Sequence, residues 1–437
     1  MVDHTATARI QRLVRWLEQF KSCFGHRAQL LSLRNYVQGV FSDSERKSMQ
    51  AMLARVTEPV AYQAFQHFIT HAPWEAERVW RRLRAVLPER RGIFILDGTS
   101  FPKQGPSSVG VARQYCGALG KIANCQVAVT AALWTGVRAW WLGAALYLPE
   151  EWLTSVARQR ARIPRAVRFQ EKWRLALRLL RQARASGLTL TAVLADAEFG
   201  DVTAFRAALH RLRLPYAVGI SSHLTVFATR PRLVRPEPTS RGRPRTRWRM
   251  ARPIVPIAVR ALITQLPPSA WRRVTWRNGR QPQRHARFTA VRVTPAHDWR
   301  HGRLAPEIWL LCEEEAGRKR RLKYYFVHLP AAASLRALVG LAHQRWAIEQ
   351  QYQELKSELG LDHFEGRTWP GWQHHAVLTA VAHAYTQRER MRRGAAGLTF
   401  PAVRAIVQEI FTALLFAAKP RYMHWMEQAK RELQLRI

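Results

Sequence analysis

Acidic residues are scarce in this sequence: 30 Asp plus Glu stand against 70 Lys plus Arg, a formal net charge of +40 over 437 residues. An excess of that size repels itself in a free chain and points to a polyanionic partner. A basic membrane-surface protein would gather its charge into a polybasic or amphipathic anchor. Here Arg runs through every segment, so nucleic acid is the expected partner. Cysteine is scarce too. Cys23, Cys116, Cys125 and Cys312 are far apart and form no C-x-x-C pair. That excludes a zinc-ribbon type of site and a disulfide framework, and it suits a reducing cytosol. The start, Met1-Val2-Asp3-His4, has no basic-then-apolar leader pattern, so a cytoplasmic location is expected. No run reads as a membrane span: the most apolar stretch, Gln126 to Pro149, is interrupted by Arg138 and resolves into two buried strands about a Thr135-Gly136 turn. Fixed-period repeats are absent.

What is present is a globular balance, 47% apolar and 23% charged, in a chain too long for one compact core. Residues 1–90 read as a helical N-terminal region. Ile10, Leu13, Trp16, Leu17 and Phe20 keep helical spacing, Ser42-Asp43-Ser44-Glu45 can cap a following helix, and helices are expected from Tyr62 to Ile69 and from Trp74 to Leu87. DNA binding and plain scaffolding are both open readings of this region. Residues 91–222 change texture. The run Gly92-Ile93-Phe94-Ile95-Leu96 is a buried strand ending at Asp97, and strands follow at about 125–134 and 138–148. A basic helix is expected over 167–186, then a strand from Leu190 to Ala195 ending at Asp196, a helix over 202–212 and a strand from Tyr216 to Ile220. That order is α/β and compatible with a ribonuclease H-like mixed sheet. Residues 223–324 are rich in Arg and Pro with β-prone runs such as Phe288–Val293 and Glu307–Leu311, an expected β-rich insertion subdomain. Residues 325–390 return to the core through Tyr324–Leu329 and a long helix from about Ser334, and 391–437 read as helical with a break at Pro420.

Two carboxylates that end all-apolar strands can converge if the strands are neighbours. Hard divalent ions take oxygen ligands, and a pair of them about 3.5–4 Å apart clamps the attacking and leaving oxygens of a phosphodiester. Each Asp read alone equally well starts a turn. The long helix supplies a third acid. Leu341, Ile348, Tyr352, Leu355 and Leu359 form one apolar stripe, and at about 100° per residue Arg345, Glu349 and Lys356 fall roughly 40–80° from its centre. Glu354 and Glu358 fall roughly 220–260° round, towards solvent. Glu349 is therefore the candidate. Arg345 and Lys356 on its flank suit phosphate, since Arg grips two oxygens and Lys is a compact charge. The plainer reading is a surface pair of Arg345 with Glu349, worth about 0.3–0.5 kcal/mol.

Asp97-Gly98-Thr99-Ser100-Phe101, Val109-Gly110-Val111-Ala112-Arg113-Gln114-Tyr115, Ala195-Asp196 and Arg345-x3-Glu349-x6-Lys356, followed by Gly360-Leu361-Asp362-His363-Phe364-Glu365-Gly366, together resemble the DDE transposases of bacterial insertion sequences. The likeness spans roughly residues 40–385. It is closest to the subgroup with a β-rich insertion and a Tyr-Arg-Glu-Lys signature. It implies a ribonuclease H-like core, two Mg²⁺ or Mn²⁺ ions held by catalytic Asp97, Asp196 and Glu349, and DNA phosphates held by Arg345 and Lys356. Element ends and target DNA are the implied partners, with two copies pairing ends in a nucleoid-associated synaptic dimer. The sequence departs from the family at Ala342, where the signature has Tyr, and at Glu198, where Gly is common.

Lys103 and Arg113 are further candidate phosphate contacts. Arg241-Gly242-Arg243-Pro244 resembles an AT-hook, a minor-groove reader, although four-residue matches are common in Arg-rich chains and a solvated basic loop of the insertion is the favoured reading. Arg318-Lys319-Arg320-Arg321 has the same two readings. Seventeen Trp is a high count. Packing is the default for each, with base stacking the other use. The expected reaction is phosphodiester hydrolysis at element ends and joining of the freed 3′-OH to target DNA. The alternatives are an inactive or domesticated DNA-binding descendant and a ribonuclease H-like nuclease without strand transfer.

Overall fold

The computed structural model describes residues 4–235, 247–276, 283–297, 299–315, 321–392 and 397–418, with His424. Five helices open the chain: α1 (His4–Glu18), α2 (Arg27–Val40), α3 (Met49–Ala54), α4 (Tyr62–Thr70) and α5 (Ala76–Val86). The apolar spacing of α1 buries Leu13, Trp16 and Leu17. The cap expected in Ser42–Glu45 is not used. Ser48 caps α3 instead, its hydroxyl accepting from the Ala51 amide at 3.2 Å.

Four strands follow, β1 (Arg91–Pro102), β2 (Ala112–Cys116), β3 (Lys121–Trp134) and β4 (Ala139–Leu146), then α6 (Ser155–Ala161) and α7 (Lys172–Ala185). The basic helix thus starts five residues later than its composition suggests. Next come β5 (Thr189–Ala195), the short α8 (Ala197–Gly200), α9 (Thr203–Arg211) and β6 (Tyr216–Ile220). β1 pairs antiparallel with β3, and β3 antiparallel with β4. On its other side β1 pairs parallel with β5, and β5 parallel with β6. The order β4-β3-β1-β5-β6, with three antiparallel strands first and two parallel strands reached through helices, is the ribonuclease H-like mixed sheet.

The sheet continues past β6. Residues from Thr225 onward contribute β7 (Thr225–Phe227), the small pair β8 (Leu233–Val234) and β9 (Arg249–Met250), β10 (Ile257–Ala258), α10 (Val259–Thr264), β11 (Arg272–Trp276), β12 (Arg284–Pro295), β13 (Ile308–Glu315) and β14 (Arg321–His328). β14 pairs antiparallel with β6 through Phe326 and Val218, and the order runs on β14-β13-β12-β7-β10, with β11 on β12. The β-rich stretch therefore extends the core sheet rather than folding beside it.

The long helix expected from Ser334 is interrupted. Ser334 caps α11 (Leu335–His343), the chain kinks at Gln344–Arg345, α12 (Trp346–Gln353) follows, and a π-helical turn occupies Glu354–Glu358. π turns inside helices shift the phase of every residue after them. The last two helices are α13 (Trp369–Glu389) and α14 (Phe400–Ala418). α13 is buried nearly all round by α2, α4, α5, β4 and α14. Two of its histidines are satisfied internally: His374 spans Ile69 and Trp74 carbonyls at 2.8 and 2.9 Å, and His375 meets the Tyr36 hydroxyl at 2.5 Å. α14 is, among the described residues, the one helix long and apolar enough to cross a membrane. It nonetheless lays a Phe400, Val403, Val407, Phe411, Leu415 stripe against the protein, as a packed helix does. Pro420 lies outside the described residues, as do Lys319, Arg320 and the AT-hook-like Arg241 and Arg243.

Candidate active site

Strand alternation decides which way Asp97 looks. Phe94 and Leu96 pack into the main core on one face of β1, whereas Ile95 packs on the other with Leu194, Leu338 and Ile348 from β5, α11 and α12. Asp97, two residues after Ile95, therefore shares the face covered by α12. The parallel register Ile95–Leu194 carries forward to bring Asp97, which lies midway along β1 rather than at its expected end, beside Asp196 at the end of β5. Asp196 stops β5 and caps α8, its Oδ1 accepting from the Glu198 amide at 3.0 Å.

The kink between α11 and α12 brings Arg345 to this spot. Its Nη1 lies 3.4 Å from Asp97 Oδ1 and its Nη2 is 2.7 Å from Glu349 Oε1. One guanidinium thus ties the β1 acid to the helix acid. The three acids and Arg345 act on one another electrostatically. Burial pushes the Asp97 carboxyl up to about 7, the neighbouring Asp196 and Glu349 push the same way, and Arg345 opposes them. Burial also raises Asp196, with Glu198 adding to it. For Arg345, burial works against the charge, yet Asp97, Glu349 and Asp196 outweigh it and hold the pKa above the ordinary value. Two carboxylates on one guanidinium, with a third close enough to be felt there, are oxygen donors of the kind hard divalent ions take. As the side chains stand, no three Asp, Glu, His or Cys among the described residues are gathered tightly enough to enclose an ion, and Arg345 supplies the positive charge there.

Neighbours brace the site. The Tyr352 hydroxyl meets the Thr130 hydroxyl at 2.5 Å, pinning α12 to β3 opposite Asp97. Lys356 donates to the Ser100 carbonyl at 3.0 Å and sits 5.2 Å over the Phe101 ring, on the path leading from Asp97 along β1. Lys103 donates to the Phe364 carbonyl at 2.5 Å, further along that path. Arg113 lies on the exposed β2, farther from the acids. Sequence spacing missed Thr130 as a brace and Lys172, whose Nζ is 2.5 Å from Glu198 Oε1 beside Asp196. Tyr352 was visible only as part of the apolar stripe.

One expectation fails. Glu354 does not point to solvent: it is buried, accepting from His383 Nε2 at 3.1 Å and Gln387 Nε2 at 2.9 Å. Glu358 is partly buried beside Arg404, at 3.8 Å. Straight-helix counting assumes a single phase and a solvent-facing far side. α13 and α14 cover that side, and the π turn breaks the phase. A cavity of about 820 Å³ opens between Glu349 and Glu354, walled also by Trp134, Trp346, Arg284 and Arg390.

The sequence matches the family of DDE superfamily endonucleases over residues 19–283. A probable transposase for insertion sequence element IS701 from Microchaete diplosiphon is 30% identical over 213 residues, which are 48% of this chain and 53% of that protein. The chain thus spans about half the length of the curated relative it matches. Among solved structures, the cryo-EM structure of a piggyBac transposase synaptic complex with hairpin DNA aligns over 91% of this chain and 73% of that one, at 8% identity and a TM-score of 0.43. At that score the likeness is too loose to add to the strand order. The family match alone takes in more than half the chain, from the N-terminal helices through Asp97 and Asp196 and into the β-rich extension, and on that span the chain belongs to the DDE superfamily endonucleases.

Proposed function

We propose that this protein is an insertion-sequence transposase that cuts DNA at its element ends and joins the freed 3′-OH to target DNA. The observation that supports the reading is the convergence of Asp97 and Glu349 on Arg345, with Asp196 near enough to act electrostatically on the same guanidinium. Asp97, Asp196 and Glu349 would hold a pair of Mg²⁺ or Mn²⁺ ions, which in such a site acidify the attacking hydroxyl and neutralise the leaving oxygen. When the acids take up those ions, Arg345 is released to grip a phosphate, and Lys356 offers a second cation one step along β1. Tyr352 and Thr130 keep Glu349 and Asp97 in fixed relation while the backbone phosphate is bound. Double-stranded element ends and target DNA are the partners, and pairing of two ends calls for two copies of the protein in one complex. The place of action is the bacterial cytoplasm.

The test is incubation of the purified protein with an end-labelled element terminus and either ion, followed by mapping of the products. New 3′-OH ends at the terminus, and their later covalent attachment to a second duplex, are expected. Cutting without attachment would reduce the reading to a nuclease, and binding without cutting would reduce it to a DNA-binding descendant.

A further inference from the structure

We propose that the outer face of the β2–β3 hairpin is a DNA-insertion surface, with Tyr115 and Ile122 wedging between base pairs of the duplex held at the acids. The proposal rests on the DNA-cutting reading above and goes beyond it by assigning a contact surface remote from the acids.

The placement follows from register. Asp97 pairs with Thr130, Thr99 with Ala128 and Phe101 with Gln126 along β1 and β3. On the other edge of β3, towards its start, β2 is the partner, pairing Arg113 with Asn124 and Tyr115 with Ile122. All these positions step by two, so the sheet face that carries Asp97 continues into Arg113, Tyr115 and Ile122. The opposite face of the hairpin is closed: Cys116 and Cys125 are fully buried and pack with Val127 under Tyr147. The open face is not. Tyr115 is 65% exposed and Ile122 62%, directly across from each other, with Leu119 at 48% on the tip. The tight tip is permitted by Gly120 at φ +64°.

Two large apolar side chains held outward on a rigid ribbon need an occupant, and charge selects it. Between Asp97 and Glu150 the chain has no acidic residue, while Lys103, Arg113, Lys121 and Arg138 fall in that span. Arg113 sits on the open face itself, beside Tyr115. Apolar wedges flanked by cations are what proteins use to pry apart a base step while holding the adjacent phosphates. Ile122 lies eight residues before Thr130 on β3, a strand length of about 26 Å. At about 3.4 Å per base pair the wedge would reach the duplex roughly eight base pairs from the phosphate at Asp97. Lys356 and Lys103 lie between the two points.

The probe is a 40-base-pair mixed-sequence duplex carrying 2-aminopurine at spaced positions, whose fluorescence rises on unstacking. Binding of the wild-type protein is expected to raise the signal. Tyr115→Ser combined with Ile122→Ser should remove that rise and weaken binding about tenfold, with the salt dependence unchanged because phosphate contacts stay. Tyr115→Trp should keep the rise, and Arg113→Ala should lower the salt slope by about one. Both serine changes are at exposed positions, and an unchanged melting temperature checks the fold. A double variant that binds as tightly and unstacks as well as wild type overturns the proposal. So does one that leaves DNA binding intact but dissociates the free protein into smaller species, which would give this face to a second copy of the chain. Failure of wild-type protein to bind the duplex at all would instead sink the functional reading on which this one rests.

Discussion

Glu349 and Glu354 stand five residues apart on one helical run and meet opposite environments. The Glu349 side chain is 62% exposed and has one ion pair, with Arg345. The Glu354 side chain is 7% exposed and is enclosed by His383 and Gln387, with Gln350 Nε2 at 3.4 Å and Arg390 Nη1 at 4.0 Å. A carboxylate whose oxygens are already filled by buried donors serves the fold. One with open oxygens beside a pair of aspartates on adjacent strands can take a further ligand. Charge and sequence position do not separate the two; the number of unfilled oxygen positions does.

The largest expected effect breaks or upholds that contrast directly. Asp97→Asn, Asp196→Asn and Glu349→Gln should each lower cleavage by roughly 10³-fold or more, as expected for losing several kcal/mol of transition-state stabilisation. Duplex binding should stay within about twofold of wild type. Glu354→Gln, assayed per folded molecule, should keep cleavage within severalfold of wild type. A Glu349→Gln protein that cuts normally would invert the assignment of the two glutamates.

Stability should show the opposite ranking. Glu354→Leu leaves His383 and Gln387 facing an apolar side chain inside the protein and should cost about 2–4 kcal/mol in denaturant unfolding. Glu349→Gln should change stability by less than about 1 kcal/mol, since its pair lies at the surface. Equal losses in the two variants would mean that Glu349 is as structural as Glu354.

Legibility in the sequence follows the same division. β5 could be read because an all-apolar run that ends in Asp admits few structures, and it stops at Ala195 as expected. β1 could be read only in part: its expected end is Asp97, yet it runs on to Pro102 because its pairing with β3 continues as far as Cys125. β6 spans the residues expected, Tyr216–Ile220. Glu349 could be singled out because the stripe through Ile348 and Leu355 is buried as its spacing requires. Glu354 could not be placed, because its burial depends on α13 and α14, which arrive from later in the chain, and on a π turn with no local signature. The Arg345 kink is likewise tertiary. Nothing in Leu341–Gln344 forbids a continuous helix, yet Trp134 holds Gln344 through its indole N–H at 3.1 Å just where the helix breaks.

The pH response sharpens the contrast through Asp97, the acid that Glu349 faces. Burial lifts this carboxyl from its ordinary 3.8 to about 7, so the folded state holds a proton that the unfolded chain has released. The stability linked to that proton is full below about 4 and lost as pH rises through about 7. Buried histidines such as His210 and His375, held well below their ordinary value by burial, work the other way over this window, so the Asp97 contribution is read as a difference. Measured against Asp97→Asn, metal-free wild-type protein should lose on the order of 1–2 kcal/mol between pH 5 and 7. Measured against Glu354→Gln, no comparable difference is expected. A wild-type minus Asp97→Asn difference that stays flat over this window would show that Asp97 is ionised throughout.

The smallest effect concerns Glu198, the acid on the far side of the pair. Its ion pair with Lys172 is partly solvated, so Glu198→Ala should move stability by less than about 1 kcal/mol. Its electrostatic effect on Asp196 is more telling. After burial, Glu198 is the next cause raising Asp196, and its removal lets Asp196 lose its proton at lower pH. The same removal takes one negative charge from the neighbourhood of the three acids, which weakens attraction for a dication. The lost charge counts for most where protons are scarce, so at pH 8 Mn²⁺ titrated calorimetrically into the variant should bind a few-fold more weakly than into wild type. As the pH is lowered, easier deprotonation of Asp196 offsets part of that loss, so the gap should narrow. A gap that widens as the pH falls would mean that Asp196 does not compete with protons for the ion, and that the dication is held by Asp97 and Glu349 without it.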